Sequence, residues 1–153
     1  AYLEGVRALN AWRLARADSL LGVAIRADSG FALAYYRRAL ARGYQSSGDP
    51  TAGARTARDL DLALRHADRL APRERAMVEA YRELHAGLDA AMGVGFAGTD
   101  RLAEAERRYA ALVARDSTWT DAWYGLADAR FHRAGVTRDW RQVQGLFNGA
   151  LRA

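Results

Sequence analysis

The strongest constraint on the fold is an internal match between residues 26–41 (RADSGFALAYYRRALA) and residues 115–130 (RDSTWTDAWYGLADAR). Both segments contain an Asp-Ser pair, an aromatic residue two positions later, and then alanines and aromatic residues at equal offsets. Because a repeated junction implies a repeated unit around it, the chain is predicted to be a repeat protein. The matched residues are Asp28 with Asp116, Ser29 with Ser117, Phe31 with Trp119, Ala34 with Ala122, Tyr35 with Trp123, Tyr36 with Tyr124, and Ala39 with Ala127.

Helical periodicity runs through nearly the whole sequence. Apolar residues recur at spacings of three and four, and segments that alternate apolar and polar residues, as half-buried strands do, are scarce. Breakers that contain Gly or Pro, at 43–53, 71–72 and 93–100, divide the periodic segments. The predicted helices form four hairpins, which are 1–10 with 14–27, 31–43 with 50–70, 73–91 with 100–114, and 119–133 with 138–153.

The second helices of these hairpins share a pattern of small, large and small residues. The large residue follows the first residue of the pattern by four positions, the next residue follows by three, and the breaker follows by five. The pattern is typical of a helix that lies close to its neighbours on both sides. Its occurrences are Ala17, Leu21, Ala24 and Ser29; Leu60, Leu64, Ala67 and Pro72; Ala105, Tyr109, Leu112 and Ser117; and Val143, Phe147 and Ala150.

In this pattern the chain resembles the tetratricopeptide repeat (TPR) family, whose unit of about 34 residues carries Trp-x-x-Leu-Gly, Ala-x-x-x-Phe and a closing Pro. The segment WYGLA at 123–127 is similar to the first signature, with Ala127 in place of Gly, and Gly5 occupies the family's Gly position. The resemblance implies an all-α, right-handed superhelical solenoid of about four hairpins. It implies one repeat domain over 1–153, with repeats at approximately 1–30, 31–72, 73–117 and 118–153. A plain helical bundle is the alternative.

Composition and charge argue against several classes of function. All 23 basic residues are arginines scattered among 18 acidic residues, so the net charge of +5 forms no basic block of the kind that binds nucleic acid. There is no Cys, and His66, His85 and His132 lack metal-ligand spacing. The segment GVGFAG at 93–98 lacks the Gly-Lys-Ser/Thr of a phosphate-binding loop. We therefore expect no enzymatic activity, no metal and no cofactor.

We therefore expect the protein to function by binding a partner at its surface. In the TPR family the first helices line the concave face of the superhelix, and peptides bind there. The resemblance therefore implies a non-enzymatic protein-interaction scaffold whose partner is a peptide or protein. The tyrosines at 2, 36 and 124 fall on one position of three repeats, and the alternative is that they pack between neighbouring helices. Carried over by register, the partner-binding residues are Tyr2, Val6, Leu33, Tyr36, Leu40, Tyr44, Glu79, Glu83, Tyr124, Asp128 and Phe131.

Two other functions stay open from the sequence. Val143, Phe147 and Ala150 lie at the end of the predicted array, where they are expected either to mediate head-to-tail self-association into oligomers or filaments or to mark a segment cut from a longer array. The chain is also similar to repeat regions attached to bacterial serine/threonine kinases and transcriptional regulators, which implies a regulatory domain within a longer signalling protein. No apolar stretch reaches the ~18 residues of a membrane-spanning helix, and the compartment is left open with the cytoplasm favoured.

Overall fold

A computed structural model describes residues 1–45, 49, 51–93, 98–133 and 148. Its helices are α1 (Tyr2–Asn10), α2 (Leu14–Ala27), α3 (Ala32–Tyr44), α4 (Ala52–Arg65), α5 (Pro72–Gly93), α6 (Thr99–Arg115) and α7 (Thr120–Arg133), with a 3₁₀ turn at Ala67–Arg69. These described residues include no strand, so the all-α prediction is confirmed. The predicted helix over 138–153 lies outside the described residues, apart from Asn148.

The chain divides into two compact units, Ala1–Val78 and Glu79–Ala153, and the division falls inside α5. In the first unit α1 packs against α2, α2 against α3, and α3 against α4, and α1 also contacts α3. In the second unit α6 packs against α7, and α5 meets α6 where Gly87 lies against Leu102. Helices that are successive in the chain therefore pack on one another within each unit.

The two junctions that match in the sequence also fold alike. Asp28 follows α2 with φ −141° and ψ 100°, and Asp116 follows α6 with φ −148° and ψ 91°. Each carboxylate accepts a hydrogen bond from the backbone N–H two residues later, at 2.9 Å from Gly30 and 3.1 Å from Thr118. Such Asx turns redirect the chain after a helix. The repeated Asp therefore builds the same turn in both units.

Small residues allow the helices of each unit to approach closely. Ala17 and Ala105 are fully buried, and each is followed one turn later by a buried large residue, Leu21 or Tyr109. A Cβ added at Gly5 would lie 2.8 Å from Leu21 Cγ, so α1 leaves no space for a side chain there. The small and large residues of α2 and α6 thus have the close-packed surroundings expected from their spacing.

In α4 the repeated spacing lies one turn earlier than predicted. Thr56, Leu60 and Ala63 have no exposed surface, whereas Leu64 is half-buried. Leu60 and Ala67 are buried as predicted, but the prediction was wrong for Leu64 because it followed apolar residues alone and did not include the buried Thr56. The α-helix also ends at residue 65, before the predicted limit of residue 70, and the 3₁₀ turn that follows has a different period.

Candidate partner-binding surfaces

The partner-binding residues predicted for the first unit lie on α1 and α3. Tyr36 and Leu40 are buried, with 4% and 9% of their surfaces exposed. Tyr36 therefore offers a partner little of its ring, in keeping with the alternative that it packs between helices. The other four residues are half-buried and keep part of their side chains at the surface; they are Tyr2, Val6, Leu33 and Tyr44.

Two aromatic contacts position the half-buried tyrosines. The ring centroids of Tyr2 and Phe31 are 4.6 Å apart, and those of Tyr44 and Trp12 are 5.0 Å apart. The first contact connects α1 to the residue that precedes α3, and the second connects the end of α3 to the turn after α1. Aromatic side chains that are already held in place lose little conformational entropy on binding, which suits them to an interface.

In the second unit, two of the predicted residues are bound by arginines of α6. Arg108 Nη1 donates a hydrogen bond to Glu79 Oε2 at 3.1 Å, and Arg101 Nη1 donates one to Glu83 Oε2 at 2.9 Å. The sequence register predicted that the two carboxylates bind a partner, and it did not indicate either arginine. A partner that uses Glu79 or Glu83 must therefore share or displace an arginine of the same unit.

The remaining predicted residues lie on α7. Tyr124 is 36% exposed and is the most accessible of the matched tyrosines. Asp128 Oδ1 lies 3.3 Å from His132 Nε2, and the rings of Phe131 and His132 meet edge to face with centroids 5.0 Å apart. The three matched tyrosines thus differ in exposure: one is half-buried, one buried and one exposed.

Equivalent ion pairs join α2 to α3 and α6 to α7. Arg42 Nε donates to Asp18 Oδ1 at 2.8 Å, and Arg130 Nε donates to Glu106 Oε1 at 2.8 Å. The two acids correspond at the offset that aligns the two Asp junctions, and so do the two arginines. Sequence analysis missed these four residues, although extending the junction match in both directions at constant offset would have found them. The repeat therefore includes a polar contact between helices as well as a turn.

In the first unit a buried carboxylate forms further ion pairs between helices. Asp59 of α4 is 1% exposed, and it accepts hydrogen bonds from Arg38 at 2.9 and 2.6 Å and from Arg42 at 2.9 Å. Because Arg42 also binds Asp18, one guanidinium connects three helices. A buried carboxylate is tolerated only when it is well paired, so this network restricts how α2, α3 and α4 can pack.

An open cavity of about 190 Å³ lies beside the first junction. Arg69 donates to both carboxylate oxygens of Asp28 at 3.0 Å. These bonds, followed by the one from the Gly30 N–H, lower the pKa of Asp28. Small-molecule sites are commonly larger, at roughly 300–1,000 Å³, and the charges at this cavity neutralise each other. We therefore assign it no ligand. Its lining residues are Asp28, Gly30, Phe31, Ala32, Leu33 and Arg69.

Metal ligation receives no support from the part of the chain that the structure describes, where no three His, Asp or Glu side chains are grouped as a metal site requires. His85 of α5 is only 8% exposed. Burial lowers the pKa of His85, and the nearby Asp89 carboxylate opposes that change. A buried imidazole of this kind belongs to the packing of α5.

The described helices also include none that is long and apolar enough to cross a bilayer. The residues predicted for self-association, Val143, Phe147 and Ala150, lie outside the described residues. Comparison with models of protein families, with curated proteins and with solved structures finds no match to this chain.

Proposed function

We propose that the chain is a TPR-like helical repeat protein without enzymatic activity, and that it serves as a scaffold that binds a peptide or protein partner. The partner binds the face formed by the first helices of the hairpins. The recurrence of one helix–helix interface, at α2–α3 and at α6–α7, carries the proposal. Each copy has the same Asp turn and the same acid–arginine pair. A stacked array of hairpins requires a repeated interface of this kind.

A second observation supports the stacking of hairpins within the first unit. In a TPR-like array each first helix lies against the first helix of the next hairpin, and α1 contacts α3 accordingly. The Tyr2–Phe31 ring contact joins α1 to the residue that precedes α3. The proposal extends this arrangement to a right-handed solenoid over the whole chain, on the basis of the sequence register.

The proposed binding face has an aromatic and apolar character. In the first unit it uses the half-buried side chains of Tyr2, Val6 and Leu33, and in the second it uses Tyr124 and Phe131. Tyrosine is enriched at the energetic centres of interfaces because it combines a large apolar area with a hydroxyl group. Tyr36 is buried in the first unit and offers a partner little of its ring.

Solution scattering tests the proposed arrangement of hairpins. A compact globule of this length has a radius of gyration of about 15 Å, and an open stack of hairpins is longer in one dimension. We expect a larger radius of gyration and an asymmetric distance distribution. A compact, symmetric distribution would favour the plain helical bundle.

Selection from a random peptide library tests the proposed binding face. Peptides are selected on the immobilised chain, and their affinities are measured for Tyr124→Ala and for Arg115→Ala as a control. Arg115 is an exposed residue at the end of α6 in the same unit. Truncating an aromatic residue at an interface centre commonly weakens binding by about tenfold or more, so only Tyr124→Ala should lose affinity. The assignment of this face would be refuted if the selected peptides bound Tyr124→Ala, Arg115→Ala and Tyr2→Ala with the same affinity as the unmodified chain.

The alternatives from the sequence remain predictions with their own tests. Sedimentation over a range of concentrations tests head-to-tail self-association, with Phe147→Glu as the variant that should remain monomeric. A role as the regulatory domain of a longer bacterial signalling protein is compatible with the same scaffold, because the binding face would then recognise a segment of that protein.

A further inference from the structure

The turn between α1 and α2 holds a tryptophan in an unfavourable backbone conformation. Trp12 has φ 57°, in the left-handed region that bulky residues rarely adopt. The Arg13 N–H donates to the Ala8 carbonyl at 2.8 Å, and the Trp12 N–H donates to the Leu9 carbonyl at 2.9 Å. This is the Schellman arrangement, in which glycine usually occupies the left-handed position because it has no Cβ. A tryptophan here therefore carries backbone strain that a glycine would avoid.

The same tryptophan is also largely exposed to solvent. Trp12 has 60% of its surface exposed, and its ring packs on that of Tyr44 with centroids 5.0 Å apart. Because most of the Trp12 side chain stays in water, packing in the core does not explain a tryptophan at this position. Strained backbone conformations concentrate at functional sites, and exposed apolar surface marks sites of interaction. Trp12 combines the two properties, which distinguishes it from Leu3 and Val23, the other large hydrophobic residues exposed in the first unit.

Positive charge accompanies Trp12 along the chain. Residues 7–16 contain three arginines and no acidic residue. The nearest acids in the sequence are Glu4, which is exposed, and Asp18, which Arg42 binds. Each of the three arginines is exposed, and within the described residues none is paired with a carboxylate; they are Arg7, Arg13 and Arg16. The segment that carries Trp12 therefore includes three exposed guanidinium groups that no carboxylate of the described residues binds.

We propose that Trp12, Tyr44 and these three arginines, together called the Trp12 surface, bind an acidic peptide segment of a partner protein that carries an apolar side chain. The apolar side chain packs on the exposed indole, and the carboxylates of the segment bind the arginines. Arginine recognises carboxylates through paired hydrogen bonds, and Trp, Tyr and Arg are the residues most enriched at the energetic centres of protein interfaces. The Trp12 surface shares Tyr44 with the predicted face of the first helices but does not require that face to bind a partner.

A single-stranded nucleic acid fits the same surface less well. Its bases stack on successive aromatic side chains, and its phosphates follow an extended basic groove. The Trp12 surface contains one largely exposed ring, since Tyr44 is half-buried. Elsewhere in the first unit Arg38, Arg42 and Arg69 are bound to carboxylates. The chemistry of a short acidic and apolar peptide matches what this surface offers.

Fluorescence anisotropy on the full chain tests the proposal with a labelled peptide in which glutamates flank a central Leu-Phe pair. We expect saturable binding that weakens when lysines replace the glutamates or serines replace the Leu-Phe pair. Trp12→Gly should reduce the affinity at least ~10-fold. Because glycine suits the left-handed position, Trp12→Gly should keep the helical circular dichroism and the thermal midpoint of the unmodified chain. A loss of binding in this variant could then not be attributed to unfolding.

Charge reversal and competing ligands complete the test. Arg13→Glu combined with Arg16→Glu should weaken binding about tenfold, whereas Arg58→Glu on an exposed position of α4 should not. Tyr124→Ala should also leave this binding unchanged, which separates the Trp12 surface from the face formed by the first helices. Unchanged affinity in Trp12→Gly would overturn the proposal. So would tighter binding of oligodeoxythymidine, or of vesicles that contain phosphatidylserine, than of the acidic peptide.

Discussion

The α2–α3 interface of the first unit and the α6–α7 interface of the second follow the same plan but expose different side chains. Both have the Asp turn and the acid–arginine pair. Tyr36 is 4% exposed, whereas the matched Tyr124 is 36% exposed. The preceding aromatic residue is buried at Tyr35 but half-buried at Trp123, whose indole N–H donates to the Ser117 carbonyl at 2.9 Å.

This difference shows that a matched sequence position determines the path of the backbone without determining the exposure of the side chain. The turn depends on a carboxylate and a backbone N–H two residues apart, so it recurs wherever that short motif recurs. Exposure depends on everything packed against the helix, and among the described residues α3 packs against α1, α2 and α4, whose Asp59 is buried. Binding residues therefore cannot be carried from one repeat to the next by register alone.

The largest expected effect comes from the buried carboxylate that distinguishes the first unit. Asp59→Ala leaves Arg38 and Arg42 without the carboxylate they share. Deleting one partner of a buried ion pair commonly costs ~3–5 kcal/mol, and we expect about 3 kcal/mol because both arginines keep some access to water. Urea unfolding followed by circular dichroism measures the change. Glu106→Ala in the second unit removes a carboxylate that is more accessible to water and should cost about 1–2 kcal/mol; equal losses would show that burial does not separate the two carboxylates.

A pair of glycine substitutions should show how closely each interface is packed. A Cβ at Gly125 of α7 would lie 2.2 Å from Tyr109 Cε1, whereas a Cβ at Gly22 of α2 would lie no closer than 3.6 Å to a neighbouring atom. Gly125→Ala should therefore destabilise the chain by about 2 kcal/mol through overpacking. Gly22→Ala should stabilise it by up to ~1 kcal/mol because alanine favours the helix. Thermal unfolding checks both, and a stabilised Gly125→Ala variant would contradict the close approach of α7 to Tyr109.

Double-mutant cycles on the equivalent ion pairs should give small and similar coupling energies. The pairs are Asp18 with Arg42 and Glu106 with Arg130, and their side chains are partly exposed. Each coupling should lie near ~0.5–1 kcal/mol, and the two should agree within ~0.5 kcal/mol. Alanine substitutions and urea unfolding supply the cycles. Coupling in only one of the two pairs would mean that the shared geometry does not reflect a shared energetic role.

The smallest expected effect is the pH dependence that Asp28 contributes at the first junction. Arg69 and then the Gly30 N–H lower the pKa of Asp28, so folding favours its charged form. This stabilisation is present above the unfolded pKa of about 3.9 and disappears as the pH falls through the lowered folded value. The urea midpoint of unfolding, measured as a function of pH, should therefore fall less steeply at acid pH in Asp28→Asn than in the unmodified chain. In an Arg69→Gln background, Asp28→Asn should change the loss of stability at low pH by a smaller amount. If Asp28→Asn has the same effect with and without Arg69, Arg69 is not the main cause of the lowered pKa.

The candidate binding face could be predicted only in part. The sequence register correctly placed its tyrosines and glutamates on α1, α3, α5 and α7, because helical segments were identified from local periodicity. It did not anticipate that Arg108 and Arg101 bind Glu79 and Glu83. Long arginine side chains reach across helices, so their partners depend on the packing of α5 against α6 rather than on spacing along either helix.

The Trp12 surface was not predicted for a related reason. The sequence shows a tryptophan between two helices, and such a residue is as compatible with the core as with the surface. Its positive φ belongs to the Schellman turn between α1 and α2, where no glycine marks the left-handed position. Its exposure depends on residues distant in the chain, such as Tyr44, which contacts its ring.

By itself, the sequence determined the all-α class, the approximate limits of the described helices and the repeated Asp turn. These features arise from contacts between residues a few positions apart, so hydrophobic period and turn chemistry are sufficient to specify them. Only the tertiary structure decided that Tyr36 is buried while Tyr124 is exposed, and that Arg42 binds both Asp18 and Asp59. Burial and ion pairing between helices depend on side chains that are distant in the chain and adjacent in space, and the same local motif can therefore have different neighbours in each unit.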